Sequence, residues 1–322
     1  IRDSSRLEHP NLCVCHEMGV IDGCAFLTID LVDGCTLRAL MRRLSSMQVK
    51  LPTSAVQALA CQMAEVLDYL HRRSPNPLVH LDLSPQNVML SRQGELKLID
   101  FGIARFLDGM YPPPLGGKIA GTVGYMSPEQ ARGKQASSLA DQYALGILLW
   151  ELLTGQRLFR GNTVQTWKRM RKGDVPSPKK ALKKVSDPLT KALTRLLQVK
   201  PVDRFDCMYD ALQALRTVSS DPLSGTRPLA ALVNRLMDDP SFDPFDTVNQ
   251  TDPTTDVKDV PRGGPKDSGM EYAEISIEMD QGEGTPVSQV RSMVPSENGQ
   301  GLPVSPFLET IPEAQPTAEI GS

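Results

Sequence analysis

The sequence predicts an α+β fold in which a small, partial sheet precedes a larger and mostly helical region. Residues 1–218 alternate short strand-like runs with longer helical runs. An apolar stretch at residues 139–153 predicts a buried helix within that region. Beyond Pro240 the chain becomes rich in Pro, Gly, Ser, Thr and acidic residues, which sets the limit of the folded part.

The predicted sheet is built from short runs that lie in two pairs. A turn at residues 22–23 separates the first pair, and a turn at residues 92–94 joins the second. The four runs predicted as strands are residues 14–19, 24–32, 87–90 and 96–99.

Three stretches of the chain predict helices. In residues 54–71 the apolar side chains recur at helical spacing, and Ser54 with Gln57 predicts a capping box at the start. The stretch at residues 139–153 is interrupted by Asp and Glu, so it is too short and too polar to span a bilayer and is predicted to be buried. Residues 228–237 form one more amphipathic stretch, which can dock as a helix.

The charge is distributed unevenly along the chain. Residues 241–322 contain four basic and fifteen acidic residues, a balance of −11, whereas the whole chain has a net charge of −3. With three Phe and one Tyr among 82 residues, this acidic segment lacks the apolar surface that would offset its ordering entropy. Residues 241–322 are therefore predicted to be a disordered acidic tail.

Composition excludes several classes of function. No basic run is interleaved with aromatic residues, so nucleic-acid binding is not expected. The six Cys residues do not form the paired Cys/His spacing of a zinc site, and their scatter is typical of buried thiols in a reducing cytosol. No transmembrane stretch or signal peptide is visible, so a cytoplasmic protein without membrane contact is expected.

One stretch carries the chemistry. Residues 80–87 read His-Leu-Asp-Leu-Ser-Pro-Gln-Asn, and residues 100–102 read Asp-Phe-Gly. Asp82 and Asn87 lie on a loop, and a hairpin of the following strands would return Asp100 beside Asn87. Carboxylate and amide oxygens suit Mg²⁺ with phosphate, and a further carboxylate can accept a proton from a hydroxyl.

These residues resemble the catalytic loop and Asp-Phe-Gly motif of protein kinases. Further elements follow in family order: residues 121–129 (GTVGYMSPE) resemble the end of the activation segment, and residues 141–146 resemble the start of the central helix. Residues 201–205 resemble the stretch whose arginine pairs with the glutamate at the end of the activation segment. At the front, residues 9–11 and 27–34 are similar to the end of the family's helix C and its hinge. The resemblance is to the bacterial, eukaryotic-like serine/threonine type, in an N-terminally truncated form.

The resemblance implies a protein-kinase-like fold with a partial N-lobe and a mostly helical C-lobe. Residues 1–33 correspond to the N-lobe remnant, with the end of helix C, the family's fourth and fifth strands and the hinge. Residues 34–218 correspond to the C-lobe, and residues 219–240 to an additional docking helix.

The resemblance also implies a role for individual residues. Asp82 is the expected catalytic base, and Asn87 and Asp100 are the expected ligands of Mg²⁺, with Mn²⁺ as the alternative. The residues expected around adenine are Ile29, Asp30, Val32 and Met89. Thr122 is expected in the segment that receives the substrate. The residues expected to have structural roles are His80, Phe101, Glu129, Asp141 and Arg204, with Glu129 paired to Arg204.

Two departures from the family pattern concern the catalytic loop. Ser84 stands where serine/threonine kinases usually carry a lysine that contacts the transferred phosphate; a serine there resembles many bacterial kinases, and it is expected to act in catalysis. It also resembles the tyrosine-kinase loop, but residues 121–129 resemble the serine/threonine form. Leu81 replaces the arginine that binds a phosphorylated activation loop, and residues 103–121 contain no Ser or Thr, so activity is expected not to depend on phosphorylation there.

The expected function is transfer of the ATP γ-phosphate to Ser or Thr of protein substrates. No G-x-G-x-x-G motif or Lys precedes Lys50, so half of the family's phosphate clamp is missing and the sequence is interpreted as a fragment of a longer product. The alternatives are a pseudokinase that acts as a binding scaffold and, less consistent with the Ser-Pro-Glu motif, a small-molecule kinase. Substrates, upstream signal and oligomeric state are not encoded in any recognisable motif.

Overall fold

The computed structural model of the 322-residue chain describes residues 7–21, 24–74, 77–99, 105–106, 121–182, 185–217 and 222–246. The predicted turn at residues 22–23, the site residues Asp100 and Phe101, most of the activation segment and the acidic tail from residue 247 onward lie outside these described residues.

The strands form three small antiparallel sheets. Strands β1 and β2 form a hairpin, β3, β5 and β6 form a sheet in the order β3-β5-β6, and β4 pairs with β7. A parallel bridge from Leu12 to Leu98 joins the chain before β1 to the edge of β6. The strands are β1 (Cys15–Ile21), β2 (Cys24–Ile29), β3 (Gly34–Thr36), β4 (Leu78–Val79), β5 (Val88–Ser91), β6 (Leu96–Leu98) and β7 (Arg105–Phe106).

Helices make up most of the described chain after β3. Nine α-helices occur in the described residues: α1 (Leu37–Ser46), α2 (Thr53–His71), α3 (Pro128–Ala131), α4 (Ser138–Thr154), α5 (Thr163–Lys172), α6 (Pro178–Ala181), α7 (Asp187–Leu196), α8 (Met208–Arg216) and α9 (Thr226–Met237). None of these helices combines the length and the apolar character needed to cross a membrane.

The core is organised around α2 and α4. Helix α4 is apolar on nearly every side, and residues 140–152 are all buried, as expected for a helix inside a globular domain. It ends at Gly155, whose φ of +66° is the left-handed geometry that favours glycine at a helix C-terminus. Helix α2 packs against α4, α8 and α9, so it joins both ends of the helical region.

The predicted helices over residues 54–71 and 139–153 are confirmed, but the predicted capping box is wrong. Helix α2 begins at Thr53 after Pro52, and no side chain caps it. The amide of Gln57 instead donates a hydrogen bond of 2.9 Å to the backbone carbonyl of Leu215 in α8. A buried amide needs a partner, and tertiary packing provides one that the local sequence does not reveal.

The chain after α8 returns across the helical region. Helix α9 packs against α2, β3 and β5, and the Asn234 amide donates a hydrogen bond of 2.8 Å to the backbone carbonyl of Arg92 in the β5–β6 turn. The following residues reach β3, where the Thr36 backbone N–H donates 2.9 Å to the Pro244 carbonyl. The prediction of disorder from residue 241 therefore does not hold for residues 241–246, because contacts with distant residues hold them.

Candidate active site

The loop at residues 80–87 connects β4 to β5 and is held from below by Asp141 of helix α4. The Asp141 carboxylate accepts hydrogen bonds from the backbone N–H groups of His80 (2.9 Å) and Leu81 (2.8 Å). Leu81 has a φ of +63°, which is costly for a branched side chain. The two hydrogen bonds to a buried carboxylate account for the persistence of this backbone conformation.

Asp141 itself is fully buried and charged. Burial alone would raise the pKa of the Asp141 carboxyl, but the hydrogen bond from His71 Nε2 (2.7 Å), the nearby His80 and the loop N–H groups outweigh it. The pKa therefore lies below its ordinary value. A buried carboxylate with this many donors is a rigid support for the loop above it.

Asp82 presents a carboxylate whose orientation is determined by its neighbours. Its Oδ1 accepts hydrogen bonds from the Thr122 backbone N–H (2.7 Å) and hydroxyl (2.6 Å). Its Oδ2 accepts one bond of 3.1 Å from the Asn87 amide. Because a carboxylate oxygen can accept more than one hydrogen bond, Oδ2 retains capacity for a substrate hydroxyl.

Asn87 is oriented so that its amide oxygen is the atom available to a cation. Its Nδ2 donates to both the backbone carbonyl (2.8 Å) and the carboxylate of Asp82. Two acceptors on this side fix the NH₂ group there, and Oδ1 must point the other way. The neighbouring backbone is set by the β5–β6 hairpin, in which the Ile99 N–H donates 2.9 Å to the Asn87 carbonyl.

The oxygen donors near this loop have the chemistry of a hard divalent cation site. The Asn87 amide oxygen and the Asp82 carboxylate are the types of ligand that Mg²⁺ prefers together with phosphate. Within the part of the chain that the structure describes, no group of three or more His, Cys, Asp or Glu side chains is placed to hold a metal ion. Asp100, the second expected ligand, follows Ile99 and lies outside the described residues.

Ser84, the other residue expected in catalysis, is buried. It is 1% exposed, and its hydroxyl has no hydrogen-bond partner among the described residues. Its backbone carbonyl accepts a hydrogen bond of 3.0 Å from the Asn87 N–H, which closes the turn before β5. In this structure Ser84 therefore shapes the loop through its backbone.

The residues expected around adenine form an apolar cluster beside the hinge. Cys13, Val32 and Met89 are buried together, with Met89 only 3% exposed, and Ile29 and Ile99 pack against them. This cluster connects the end of β2 and the hinge to the β5–β6 hairpin. An apolar surface of this type suits the face of a planar base.

Asp30 anchors the start of the hinge to β1. Its carboxylate accepts a hydrogen bond of 3.0 Å from the Val14 N–H and lies 2.7 Å from His16 Nε2. Burial raises the pKa of the Asp30 carboxyl, but these two partners outweigh burial and hold it below its ordinary value. Its backbone carbonyl accepts a weak bond from Cys13 Sγ at 3.3 Å, and a carbonyl oxygen has a second lone pair for another donor.

The segment at residues 121–131 is tied to the loop and to the core. Ser127 and Gln130 form a capping box at the start of α3, and the Gln130 side chain also donates 2.9 Å to the Leu81 carbonyl. Glu129 of the same helix pairs with Arg204 through two N–O contacts of 2.7 and 2.9 Å. Helix α3 therefore connects the catalytic loop to the 3₁₀ turn that precedes α8.

Comparison with known proteins identifies the family. The family described as "Protein kinase domain" matches residues 1–215. This chain belongs to the protein kinase family. Among its curated relatives, the tyrosine-protein kinase MasK of Myxococcus xanthus is 31% identical over 240 residues, which cover 72% of this chain and 37% of that protein. The serine/threonine-protein kinase PrkC of Bacillus subtilis is 29% identical over 217 residues, which cover 67% of this chain and 32% of that protein.

Other relatives support the same assignment. The serine/threonine-protein kinase PknH of Mycobacterium tuberculosis is 31% identical over 222 residues, which cover 69% of this chain and 34% of that protein. The chain spans about a third of the length of these curated relatives. The prediction of a bacterial, eukaryotic-like protein kinase with an α+β kinase fold is confirmed.

The structure brings five of the predicted site residues together at the catalytic loop. Asn87 and Thr122 each donate a hydrogen bond to the Asp82 carboxylate, and the Asp141 carboxylate accepts one from the His80 backbone N–H of the same loop. The roles of these residues in catalysis stay predictions. Asp100 and Phe101 cannot be placed in this arrangement because both lie outside the described residues.

Two further residues of the kinase site were missed at the level of sequence. His71 at the end of α2 donates to Asp141, and Gln130 in α3 donates to the catalytic loop. Each contact spans 49 residues or more along the chain. The only local signal was Gln130 three residues after Ser127, which is the spacing of a capping box.

Proposed function

We propose that the whole protein to which this chain belongs transfers the γ-phosphate of ATP to Ser or Thr hydroxyls of protein substrates. The observation that carries the proposal is the Asp82 carboxylate, which Thr122 and Asn87 orient on a loop supported by buried Asp141. Phosphoryl transfer depends mainly on positioning and charge stabilisation, and a fixed carboxylate serves the first of these.

In the proposed reaction, Asp82 receives the substrate hydroxyl at Oδ2. The hydroxyl oxygen forms a bond to the γ-phosphorus as the bond from that phosphorus to the bridging oxygen of ADP breaks. The hydroxyl proton passes to Asp82 and then to solvent, while Oδ1 stays bound to Thr122 and so keeps the carboxylate in place.

We assign the metal of this reaction as Mg²⁺, with Asn87 Oδ1 as one protein ligand. When bound, Mg²⁺ would neutralise charge on the transferring phosphate. The adenine base is proposed to bind the hinge through the Asp30 carbonyl and the Val32 N–H, with Met89 beneath the ring. Among the described residues the Val32 N–H makes no backbone hydrogen bond, which supports this assignment.

The test is substitution of Asp82 by Asn in the full-length protein. We expect phosphate transfer from ATP to a protein substrate to fall about 100- to 10,000-fold, because Asn cannot accept the proton. Binding of ATP should be retained. Asp206→Asn is the matched control, because Asp206 is an exposed carboxylate just before α8 that makes only a long contact of 4.0 Å with Arg195 among the described residues.

The outcome also separates an enzyme from a scaffold. A pseudokinase would show no transfer in the wild-type protein, and its biological effect would survive Asp82→Asn. An Asp82→Asn variant that transfers phosphate as fast as the wild type would refute the assigned role of Asp82.

A second candidate is transfer to tyrosine, which is favoured by the similarity to a relative named as a tyrosine-protein kinase. Phosphoamino acid analysis of the labelled product distinguishes the two candidates. Phosphoserine or phosphothreonine supports the primary proposal, and phosphotyrosine alone supports the second. Location in the cytoplasm stays a prediction from the sequence.

A further inference from the structure

The segment at residues 239–246, which follows α9 and is here called the strap, is fastened along helix α1. Asp239 pairs with Arg43 near the C-terminal end of that helix. Asp246 pairs with both Arg38 (2.9 Å) and Arg42, and its carboxylate side chain is 8% exposed. Two ion pairs to one nearly buried carboxylate hold the segment more strongly than one ion pair on the exposed surface would.

The backbone of the strap is also fixed where it reaches β3. The Pro244 carbonyl accepts a hydrogen bond of 2.9 Å from the Thr36 N–H, and the Phe245 N–H donates 3.0 Å to the Asp243 carboxylate. Asp246 has a φ of +56°, an uncommon conformation outside glycine that its anchor to α1 holds in place. Phe245 therefore lies between two anchored residues.

The side chain of Phe245 packs on the apolar cluster of the proposed base site. That cluster consists of Cys13, Val32 and Met89, and Phe245 contacts it together with Ile29 and Ile99. Phe245 is separated by more than 140 residues from every one of these partners. The strap thus brings an aromatic ring to the junction of the hinge and the β5–β6 hairpin.

We propose that Phe245 is a positioning residue for the nucleotide base and that the strap forms one wall of the base pocket. This inference rests on the proposed kinase function. A half-buried aromatic ring excludes water from the hinge and offers an edge or a face to a planar heterocycle.

The hydrogen bonding of the strap favours a wall over a plug. A segment that occupied the adenine site in place of the base would take the hydrogen bonds of the hinge. The backbone of the strap instead bonds to the Thr36 N–H, four residues beyond Val32. Within residues 239–246, no strap group bonds to the Asp30 carbonyl or to the Val32 N–H, so the strap leaves both hinge groups to the base. Phe245 also keeps part of its own surface exposed.

The test is Phe245→Ala in the full-length protein, with the dissociation constant of ATP and the kcat and KM for ATP measured. We expect KM and the dissociation constant to rise roughly tenfold, because an aromatic contact and its excluded water are lost. The kcat at saturating ATP should stay within about twofold of wild type, because the substitution changes no residue of the catalytic loop. Phe245→Tyr should restore wild-type values, since it keeps the ring.

Asp246→Asn gives an independent variant that keeps the ring and weakens its anchor, and it should also raise KM for ATP. Asp238→Asn is the matched control: it removes an ion pair to Arg92 immediately before the strap and should leave KM unchanged. Thermal unfolding of each variant checks that it is folded. If Phe245→Ala does not fold, Asp246→Asn decides the question by the same readout.

Two results would overturn the inference. An unchanged KM in Phe245→Ala shows that the ring does not contact the base, and a lowered KM shows that the ring occupies the base site and competes with ATP. A wild-type protein that binds no ATP would overturn the proposed function as well. Wild-type binding that Phe245→Ala does not weaken overturns only the role of the strap.

Discussion

Replacing Glu129 by Gln tests whether the buried ion pair with Arg204 holds the region together. The Arg204 side chain is 0% exposed, and the pair has two N–O contacts of 2.7 and 2.9 Å. Glutamine preserves the shape of the side chain, so it leaves no cavity. It removes the negative charge and turns an NH₂ donor toward one of the guanidinium donors.

The cost follows from what Arg204 retains. Its remaining partners are backbone carbonyls, including those of Leu139 (2.7 Å) and Gln198 (2.9 Å), and the Tyr143 ring lies 4.8 Å from the guanidinium carbon. These partners carry no net charge, so the buried cation loses its counter-ion. Breaking such a pair costs about 3–5 kcal/mol. For a domain of this size that corresponds to a fall in Tm of roughly 6–20 °C.

The assay is thermal and urea unfolding of Glu129→Gln beside Glu65→Gln. The pair of Glu65 with Arg216 has a similar contact of 2.6 Å, but its side chains are 31% and 42% exposed. An exposed pair contributes about 0–1 kcal/mol, so the control should lose at most roughly 4 °C. Equal losses of Tm in the two variants would refute the reasoning, because the stability of an ion pair would then depend on its N–O distance and not on its burial.

Two further predictions concern the catalytic loop. Thr122→Val removes the hydroxyl that donates a hydrogen bond of 2.6 Å to Asp82. Because a hydrogen bond to a charged group contributes about 1.5–3 kcal/mol, kcat should fall roughly 10- to 150-fold. The control Thr122→Ser keeps the hydroxyl and should stay near the wild-type kcat. Equal losses in the Val and Ser variants would contradict the role of the hydroxyl. Because the pKa of Asp141 is lowered in the folded state, its contribution to stability is present above the unfolded pKa of about 4 and is lost as the pH falls through the lower folded value. Tm measured from pH 6 to pH 2.5 should therefore fall more steeply in the wild type than in Asp141→Asn, and parallel curves would show that Asp141 makes no such contribution.

Elements with a strong local pattern could be predicted from the sequence. Helix α4 carries an apolar run that is buried on all sides, and α2 carries apolar residues at helical spacing. Each pattern predicts a helix whichever elements pack against it. The β5–β6 hairpin was predicted from its turn residues, and Gly94 adopts the positive φ of +80° that such a turn uses. Asp82 and Asn87 could be identified because the short spacing between them in one loop is part of the kinase motif.

Contacts between distant segments could not be predicted in the same way. Gln57 has the spacing of a capping residue, yet it bonds to Leu215, which lies 158 residues away. Ser84 resembles a phosphate-contacting position by its place in the loop, but the fold buries it. Local spacing describes what a side chain can do, and packing decides which of those possibilities is used.

The strap shows this division most clearly. By sequence alone, the family, the catalytic loop and the two central helices were determined, because each is encoded in residues close together along the chain. Phe245 belongs by composition to an acidic, proline-rich segment without enough apolar residues to fold alone. Only the tertiary structure brings it to Val32 and Met89, because arginines of α1 supply the charge that its neighbouring Asp246 requires and the hinge supplies the apolar surface that its ring requires.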